Sequence, residues 1–482
     1  MSRRRWAAPL ALLLAFVIVP LAVGDAGDLD TSFEGDGQAI TDFGKSEFAN
    51  GMAIQQDGRI VVVGVDTETT PPRFIRDFVL ARYLGDGSLD PAFSGGRVRT
   101  DFAGNSDSAE GVVQQPDGKL VVAGWSGAQV AVVRYNGDGT LDAAFDGDGK
   151  ALVSVGDAIA EANAVALQPD GRIVVAGDAG GGFADYDFAL VRLNPNGSPD
   201  PGFGGDGAVV TDLTGGDEFG GSLAVQADGK IIAAGYARPS GNILLARYGA
   251  DGGLDPSFDG DGKVTTTVSC CTGFPRLTLQ SDGKILVAAA SELLRYNVDG
   301  SLDSGFGDAG RVSMPENSAL AVALQPDGKI VAAGTPRNAA LHGFVVSRFA
   351  QDGSEDLDFS SNLVNVATAL GQPVAGVGLQ SDRKIVLAGS AGPDTGHVDF
   401  IVLRFLNPAP PSPRCRVPNV RGKTLVVARR SIKRARCAVG KVTRKPSRRV
   451  KKGRVISQSP RAGRLLPQNG KVKLVVSRGR AR

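Results

Sequence analysis

A turn sequence that recurs seven times constrains this chain more than any other feature. It reads Gln-x-Asp-Gly, a short β-branched run follows it, and the copies are spaced by 60, 53, 58, 54, 45 and 55 residues. The seventh copy has lost its glycine, since Arg383 follows Asp382. The aspartates of the seven copies are Asp57, Asp117, Asp170, Asp228, Asp282, Asp327 and Asp382. Self-similarity at this period indicates a repeat architecture of seven units.

Each full repeat contains four short apolar runs separated by Asp-Gly or Asn-Gly turns. Alternating or β-branched runs between such turns predict antiparallel strands, four in each unit. The high glycine count of 66 and the low aromatic content of 6% suit many short strands and tight turns. In the third repeat the runs are Ala164–Gln168, Arg172–Ala176, Phe188–Leu193 and Ala208–Thr211.

The two ends of the repeat region complement each other. The segment Leu29–Thr41 is the second half of a repeat without its first half, and the last repeat stops at Phe405 without a fourth strand. If the N-terminal strand pairs with the last unit, the two half-repeats together make one complete unit and no sheet edge stays unpaired. We therefore expect an all-β fold, a seven-bladed β-propeller whose N-terminal strand closes the last blade. An open β-solenoid is the alternative.

Composition shifts predict four segments. Residues 1–24 have three arginines, an apolar stretch and the small residues Ala22-Val23-Gly24, which is typical of a signal peptide, with a retained anchor as the alternative. Residues 27–407 hold the repeats, and the proline-rich residues 408–413 form a linker. Residues 414–482 combine one amphipathic run with three strand-like runs and predict a small α+β domain. An exported protein can form disulfides.

Charge divides sharply between the repeats and the last segment. From Arg414 onward there are 24 Lys and Arg and no Asp or Glu, which leaves 29 basic and 51 acidic residues, a net charge of −22, for the rest. Such asymmetry concerns binding partners rather than the fold.

Two resemblances follow from these motifs. The L-Q-x-D-G-K-I-V-x-A-G, F-x-L-x-R-Y-x-x-D-G-S-L-D and F-x-x-D-G-x-V-x-T segments, from Leu29 to about Phe405, resemble the delta-60 repeat family of exported bacterial proteins. This resemblance implies an exported, propeller-like protein and no particular activity. Val417-Pro418-Asn419-Val420, Val455–Pro460 and Val472–Ser477 resemble a PASTA domain. That resemblance implies binding of peptidoglycan fragments, although this copy departs from the usual pattern in being entirely basic.

The exit of each third strand is similar to the calcium loop of some propellers. Calcium requires six to eight oxygen ligands, but an arginine stands where the first aspartate should be. A guanidinium cannot bind a cation, whereas it can bond a carboxylate in bidentate fashion. We therefore expect structural ion pairs and no cofactor, with calcium as the less favoured alternative. The expected pairs are Arg82 with Asp90, Arg134 with Asp142, Arg192 with Asp200, Arg247 with Asp255, Arg295 with Asp303, and Arg348 with Asp356, and Arg404 occupies the seventh equivalent place.

Few residues suggest catalysis or metal binding. The Gly-Asp-Gly triplets at Asp36, Asp148, Asp206 and Asp261 are expected to be tight turns rather than metal sites. The two histidines, His342 and His397, lack a nucleophile context. No catalytic residue is predicted. A hydrolase acting from a propeller cleft remains the competing hypothesis, and carboxylates from non-equivalent repeat positions at the central channel would favour it.

The four cysteines fall into two pairs. Cys415 and Cys437 bracket the helix of the basic domain, and we expect a disulfide between them in an exported protein. The adjacent Cys270 and Cys271 could form a vicinal disulfide or remain thiols, and the sequence leaves both open.

The basic domain also suggests a partner. We expect it to bind anionic envelope polymers or peptidoglycan, because export and the lack of interleaved aromatic residues argue against a specific nucleic-acid role. The candidate contacts are Arg429, Arg430, Lys433, Arg434, Arg448, Arg449, Lys451 and Lys452. Docking of this domain on the acidic repeats is the alternative.

Together these features predict a monomeric, secreted or wall-associated binding or scaffold protein. Its propeller would present loops to a ligand that the sequence does not identify. Function should lie where the repeats differ, in the loops Val65–Asp77 and Asp178–Asp187 and in the segment beyond Pro413.

Overall fold

The computed structural model describes most of the chain. The leader 1–24, the linker 408–413, Cys270 with Cys271, and His342 lie outside the described residues, as do parts of both variable loops. The described residues are 25–68, 75–156, 159–181, 185–268, 274–289, 291–314, 317–336, 343–359, 362–364, 374–394, 397–407, 414–467 and 469–480. Two compact units divide between Asn407 and Pro408.

Antiparallel strands build the first unit. They are β1 (Gln38–Thr41), β2 (Ser46–Ile54), β3 (Ile60–Glu68), β4 (Ile75–Tyr83), β5 (Arg97–Thr100), β6 (Asp107–Gln114), β7 (Leu120–Ser126), β8 (Gln129–Tyr135), β9 (Lys150–Val153), β10 (Ile159–Leu167), β11 (Ile173–Gly180), β12 (Asp187–Leu193), β13 (Ala208–Thr211), β14 (Asp217–Val225), β15 (Ile231–Arg238), β16 (Ile243–Tyr248), β17 (Lys263–Thr266), β18 (Arg276–Leu279), β19 (Ile285–Ala289), β20 (Glu292–Tyr296), β21 (Arg311–Ser313), β22 (Asn317–Leu324), β23 (Ile330–Pro336), β24 (Phe344–Phe349), β25 (Asn362–Val364), β26 (Gly376–Leu379), β27 (Ile385–Asp394) and β28 (His397–Phe405).

These strands form four-stranded sheets, seven of them in the described part of the chain. We call them blades 1 to 7: β2–β5, β6–β9, β10–β13, β14–β17, β18–β21, β22–β25, and β26–β28 with β1. The first strand of each blade packs against the first strand of the next, and β26 packs against β2, so the sheets close a ring. This architecture is a β-propeller, as the repeats predicted.

The recurrent turn forms the first hairpin of each blade. In blade 3 the Asp170 carboxylate accepts a hydrogen bond from the Arg172 amide at 3.1 Å, and Gly171 has a φ of 86°, which strongly favours glycine. Every residue of β11 that follows is buried. The apolar residues pack between blades, so that Val121 of blade 2 and Val175 of blade 3 share one core.

The N-terminal strand closes the ring. β1 pairs antiparallel with β28, in a register that places Ala39 opposite Val402. Arg404 at the end of β28 bonds Asp30 just before β1, with Nε 2.7 Å from Oδ2. The half-repeats at the two ends thus complete one blade, which an open solenoid would not require.

The second unit is a small α+β domain. Its elements are β29 (Arg414–Arg416), α1 (Leu425–Arg434), β30 (Ala438–Lys445), β31 (Val455–Ser459), β32 (Leu465–Pro467) and β33 (Lys471–Ser477). β33 lies between β30, which is parallel to it, and β31, which is antiparallel. The Thr424 side chain caps the helix by accepting a hydrogen bond from the Val427 amide. Cys415 and Cys437 form the predicted disulfide.

Candidate functional site

The arginines predicted at the third-strand exits pair with carboxylates. Each Nε lies 2.6–2.8 Å from Oδ2 of the aspartate expected for it, in all six pairs from Arg82 with Asp90 to Arg348 with Asp356. The guanidinium also lies over a buried phenylalanine ring, as Arg82 does at 4.2 Å above Phe93. These side chains are almost fully buried, so each pair desolvates a charge and compensates it locally.

The same arginines connect neighbouring blades. Arg82 Nη1 donates to the Gly137 carbonyl of the next blade at 2.7 Å, and Arg192 donates to the Ala250 carbonyl at 2.5 Å. The aspartate of an arginine–aspartate pair also contacts a second cation, which stands two residues after the aspartate of the recurrent turn. For example, Lys284 Nζ lies 2.8 Å from Asp303 Oδ2. The Lys284 hydrogen bond holds the pKa of Asp303 at about 2. Guanidinium and ammonium groups thus contact these carboxylates where a calcium loop would place the ion.

The aspartates of the Gly-Asp-Gly triplets form hydrogen bonds within their own turns. Asp36 and Asp148 each accept a hydrogen bond at 2.9 Å from the amide two residues later, and Asp206 and Asp261 do the same at 3.0 and 2.9 Å. These exposed aspartates shape the turn before each outer strand.

The repeats differ at one position of the innermost strands. A β-bulge in β2, β6 and β10 carries Asn50, Glu110 and Asn163, whereas the bulge in β14 carries Gly221. Because first strands of successive blades pack against one another, these polar residues lie around the centre of the ring. Asn50 donates to the Ala109 carbonyl at 3.0 Å and to Glu110 Oε1 at 3.2 Å. We call the residues Asn50, Glu110, Glu161, Asn163, Asp178 and Arg276 the central polar cluster.

Three carboxyl groups of the central polar cluster have raised pKa values. Burial raises the pKa of Glu110 to about 7, although the Ser108 hydroxyl donates to it at 2.6 Å. Burial and the neighbouring Glu161 carboxylate raise the pKa of Asp178 to about 8. Burial also raises the pKa of Glu161. Glu110 and Asp178 can therefore hold protons near neutral pH.

Amide and guanidinium donors surround these acids. Asn163 Nδ2 donates to Asp178 Oδ1 at 3.1 Å and to the Gly220 carbonyl at 2.8 Å. Arg276 Nη1 donates to the Gly221 carbonyl at 3.0 Å, and its charge lowers the pKa of Glu110. The cluster thus combines proton donors, proton acceptors and one cation contributed by several blades.

An aromatic row lies beside the central polar cluster. The row consists of Tyr186, Phe219, Tyr236 and Phe274, and the centroids of successive rings are 5.3, 5.3 and 5.7 Å apart. Glu161 and Asp178 both affect the pKa of Tyr186, which places the row next to the carboxylates. Tyr186 and Asp178 come from the loop region Asp178–Asp187, where the sequence led us to expect function.

The sequence did not identify the central polar cluster itself. A signal for it exists, since Asp178 stands where the corresponding positions of other blades hold Val65, Trp125 and Tyr236. The remaining histidine of the described chain, His397, is exposed and lies 3.2 Å from the Lys45 carbonyl through Nδ1.

The second unit carries a basic surface. All eight candidate contacts are exposed, with Arg429, Arg430, Lys433 and Arg434 on α1 and the other four in the segment between β30 and β31. No acidic side chain exists in residues 414–482 to neutralise them. Val426 is 70% exposed on the same helix. The core beneath contains Val417, Ile432 and the disulfide.

Comparison with known families agrees with this architecture. A beta-propeller model named domain of unknown function DUF5122 matches residues 55–93, 115–145, 168–203, 226–258, 280–306 and 325–359. A PASTA domain model matches residues 416–478. The protein therefore combines a beta-propeller repeat region with a C-terminal PASTA domain. This domain suggests cell-wall or peptidoglycan binding as the general function, and it is consistent with an extracytoplasmic location.

Solved structures resemble the chain only distantly. Virginiamycin B lyase from Staphylococcus aureus is 9% identical, with a TM-score of 0.48 and coverage of 77% of this chain and 99% of that one. A protein of unknown function from Dyadobacter fermentans is also 9% identical, with a TM-score of 0.43 and coverage of 77% and 97%. The extracellular region of the Ser/Thr kinase PrkC from Staphylococcus aureus is 25% identical, with a TM-score of 0.14 and coverage of 14% and 24%.

No curated protein matches the chain. Among the described residues, no helix has both the length and the apolar character needed to span a bilayer.

Proposed function

We propose that this protein is an exported, wall-associated binding protein that the basic domain tethers to anionic envelope polymers. The observation that carries the proposal is the charge of the PASTA domain, 24 basic and no acidic residues over residues 414–482, with the eight candidate contacts exposed. A polyanion would gain favourable contacts along this surface, and salt would weaken them. The propeller then presents its inner cluster and loops to a second ligand.

A sedimentation assay with purified cell wall tests this proposal. Full-length protein is mixed with wall before and after extraction of its anionic polymers, at low and high salt. We expect binding to untreated wall, loss of binding after extraction, and weakening by salt. Binding that survives extraction would favour recognition of peptidoglycan itself, and absence of binding to either preparation would refute the tether.

Matched charge variants locate the surface. One variant replaces Arg429, Arg430, Lys433 and Arg434 by Gln, and a control replaces Lys471, Lys473, Arg478 and Arg480 by Gln, so that both lose four charges. We expect the first variant to bind wall about tenfold more weakly than the control, because its charges lie together on one helix. Equal loss in both would mean that overall charge, not the helix, drives binding.

A hydrolase is the second candidate function, and the central polar cluster favours it. Glu110, Glu161 and Asp178 come from non-equivalent repeat positions, and their raised pKa values suit proton donation. Release of reducing ends from purified peptidoglycan would reveal such an activity. It should vanish in Glu110→Gln and Asp178→Asn and persist in Glu34→Gln, which changes an exposed turn residue. No release by the intact protein would leave the cluster a binding site.

A further inference from the structure

Three junctions between neighbouring blades repeat one arrangement of carboxylates, which we call junction triads. Each takes one acid from the third strand of a blade, one from the residue after its outer strand, and one from the first strand of the next blade. The facing oxygens of each triad all lie within 4.8 Å of one another. The triads are Asp399, Asp42 and Glu47 between blades 7 and 1; Asp77, Asp101 and Asp107 between blades 1 and 2; and Asp187, Asp212 and Glu218 between blades 3 and 4.

The spacing of these oxygens suits calcium. Calcium binds oxygen at about 2.3–2.6 Å, so that two ligands on opposite sides of the ion lie about 4.6–5.2 Å apart. Three carboxylate oxygens within 4.8 Å can therefore all contact one ion. Carboxylates are also the ligands that calcium prefers, since they are hard and negatively charged.

The Glu47 carboxylate is incompletely bonded. Glu47 is fully buried, and its Oε1 accepts a hydrogen bond from the Lys45 amide at 2.9 Å. Its Oε2 is buried without a hydrogen bond of good geometry among the described residues, although the Phe43 amide is close enough to lower the pKa of the carboxyl. The Asp399 carboxyl lies beside it, and two carboxyl groups can bond only if they share a proton. A shared proton or a bound cation would complete the bonding of this buried oxygen.

The junction between blades 1 and 2 repeats this feature. Asp107 is also fully buried, and its Oδ2 accepts from the Phe102 amide at 2.8 Å. Its Oδ1 is buried without a hydrogen bond, although the Ser126 hydroxyl is close enough to lower the pKa of the carboxyl. Arg99 approaches Asp77 to 4.0 Å here and supplies part of the positive charge. We therefore expect this triad to bind a cation more weakly than the triad of Asp399.

Another junction of the same ring shows that the fold does not need these acids. Between blades 2 and 3 the corresponding places hold Gln129, Ser154 and Ala160. Gln129 Nε2 donates to Ser154 Oγ at 2.9 Å, so a neutral pair closes this junction. Three neighbouring carboxylates at an equivalent place thus call for an explanation other than blade packing.

In the triad of Asp187, both oxygens of Glu218 already accept hydrogen bonds, from the amides of Leu213 and Thr214. We propose that the junction triads of Asp399 and Asp77 bind calcium ions that fasten neighbouring blades, with the triad of Asp399 as the stronger site. Each ion would join the third strand of one blade to the first strand of the next. The triad of Asp399 lies at the ring closure, where β1 completes blade 7. These sites are separate from the turns with the arginine–aspartate pairs, where cations of the chain already contact the aspartates.

Calcium titration of EDTA-treated full-length protein tests this proposal. Isothermal calorimetry should show at least two bound ions, with dissociation constants in the range of about 0.1–1 mM that extracellular sites have. The unfolding temperature should rise with calcium, because an ion that binds only the folded state stabilises it. Asp77→Asn and Asp399→Asn should each remove one ion, and the exposed turn variant Asp148→Asn should remove none.

Two outcomes would overturn the proposal. One is the absence of both binding heat and a rise in unfolding temperature with calcium at about 10 mM, well above the expected range. The other is full calcium binding by the double variant D77N/D399N, provided that circular dichroism shows it to be folded. If instead both variants raise the unfolding temperature in EDTA at pH 8 while calcium has no effect, the triads share protons only.

Discussion

At the residue scale, the arginine–aspartate pairs and the central polar cluster differ in how far the sequence could predict them. The pairs recur in every blade and are compensated by several partners, as Asp200 is by Arg192 and by the more exposed Arg172. The sequence could predict six of them because the two residues of each pair lie within one repeat, eight residues apart, whereas the pair of blade 7 joins Arg404 to Asp30 at the other end of the repeat region. The cluster joins residues from several blades, so a departure from the repeat such as Asp178 is visible in the sequence, but the meeting of these side chains is not.

Replacing a buried arginine should destabilise the propeller strongly. In Arg192→Met the Asp200 carboxylate loses its buried partner, and we expect a loss of about 3 kcal/mol in the free energy of unfolding. Urea unfolding followed by tryptophan fluorescence measures this loss. Arg172→Met removes the exposed partner of the same aspartate and should have a far smaller effect. Equal effects would contradict the role assigned to the buried pair.

The raised pKa of Asp178 predicts a pH dependence of stability. Its pKa is about 8 in the folded protein and near 3.8 when unfolded, so between these values the folded state holds one more proton. The contribution of this group to stability is therefore present below about pH 4 and is lost as pH rises to 8. Unfolding temperatures measured in EDTA between pH 5 and 8.5 should fall less steeply in Asp178→Asn than in the original protein. Parallel curves would show that Asp178 is ionised throughout.

At the element scale, sequence periodicity predicted strands well and their partners less well. The amphipathic run predicted in the basic domain is α1, Leu425–Arg434, and one of the three strand-like runs predicted there is β31, Val455–Ser459. The short pair of β29 with β32 was not predicted, because three-residue strands have too little alternation to be recognised. The bulges of the first strands were also missed, since a bulge depends on the register with the neighbouring strand.

Loss of the disulfide should destabilise the basic domain selectively. Cys415 and Cys437 are 22 residues apart, and closing a loop of this length stabilises a fold by about 3 kcal/mol in the chain-entropy account. We expect the double variant C415S/C437S to lower the unfolding transition of this unit while the propeller transition stays in place. Calorimetry resolves the two transitions, and a shift in the propeller transition instead would contradict the prediction.

At the scale of the whole molecule, ring closure determines which surfaces exist. β1 pairs along the edge of β28, and Arg404 at the end of β28 bonds Asp30 just before β1. An exposed edge strand invites pairing with another chain, so closure also favours a monomer. The predicted monomeric state stays a prediction.

Removal of the closing strand tests this reasoning. A chain that lacks residues 25–41 should have a lower propeller unfolding temperature and should aggregate, because the edge of β28 becomes exposed. Size-exclusion chromatography with light scattering and thermal unfolding measure both effects. Ile40→Ala changes a side chain that is 62% exposed and should behave like the original protein. A truncated chain that stays monomeric and equally stable would show that closure by β1 is dispensable.

Features that are local or repeated could be predicted from the sequence. Hairpin turns, the arginine–aspartate pairs, the shared last blade and the basic domain all follow from residues close in the chain or from the repeat period. The contacts between non-repeated side chains, in contrast, could be identified only in the folded ring. Glu110 and Asp178 reach the same centre, and Asp399 meets Glu47 across more than 350 residues, because the ring brings first strands together and joins its two ends. Such contacts depend on the closure of the whole ring, which no single repeat encodes.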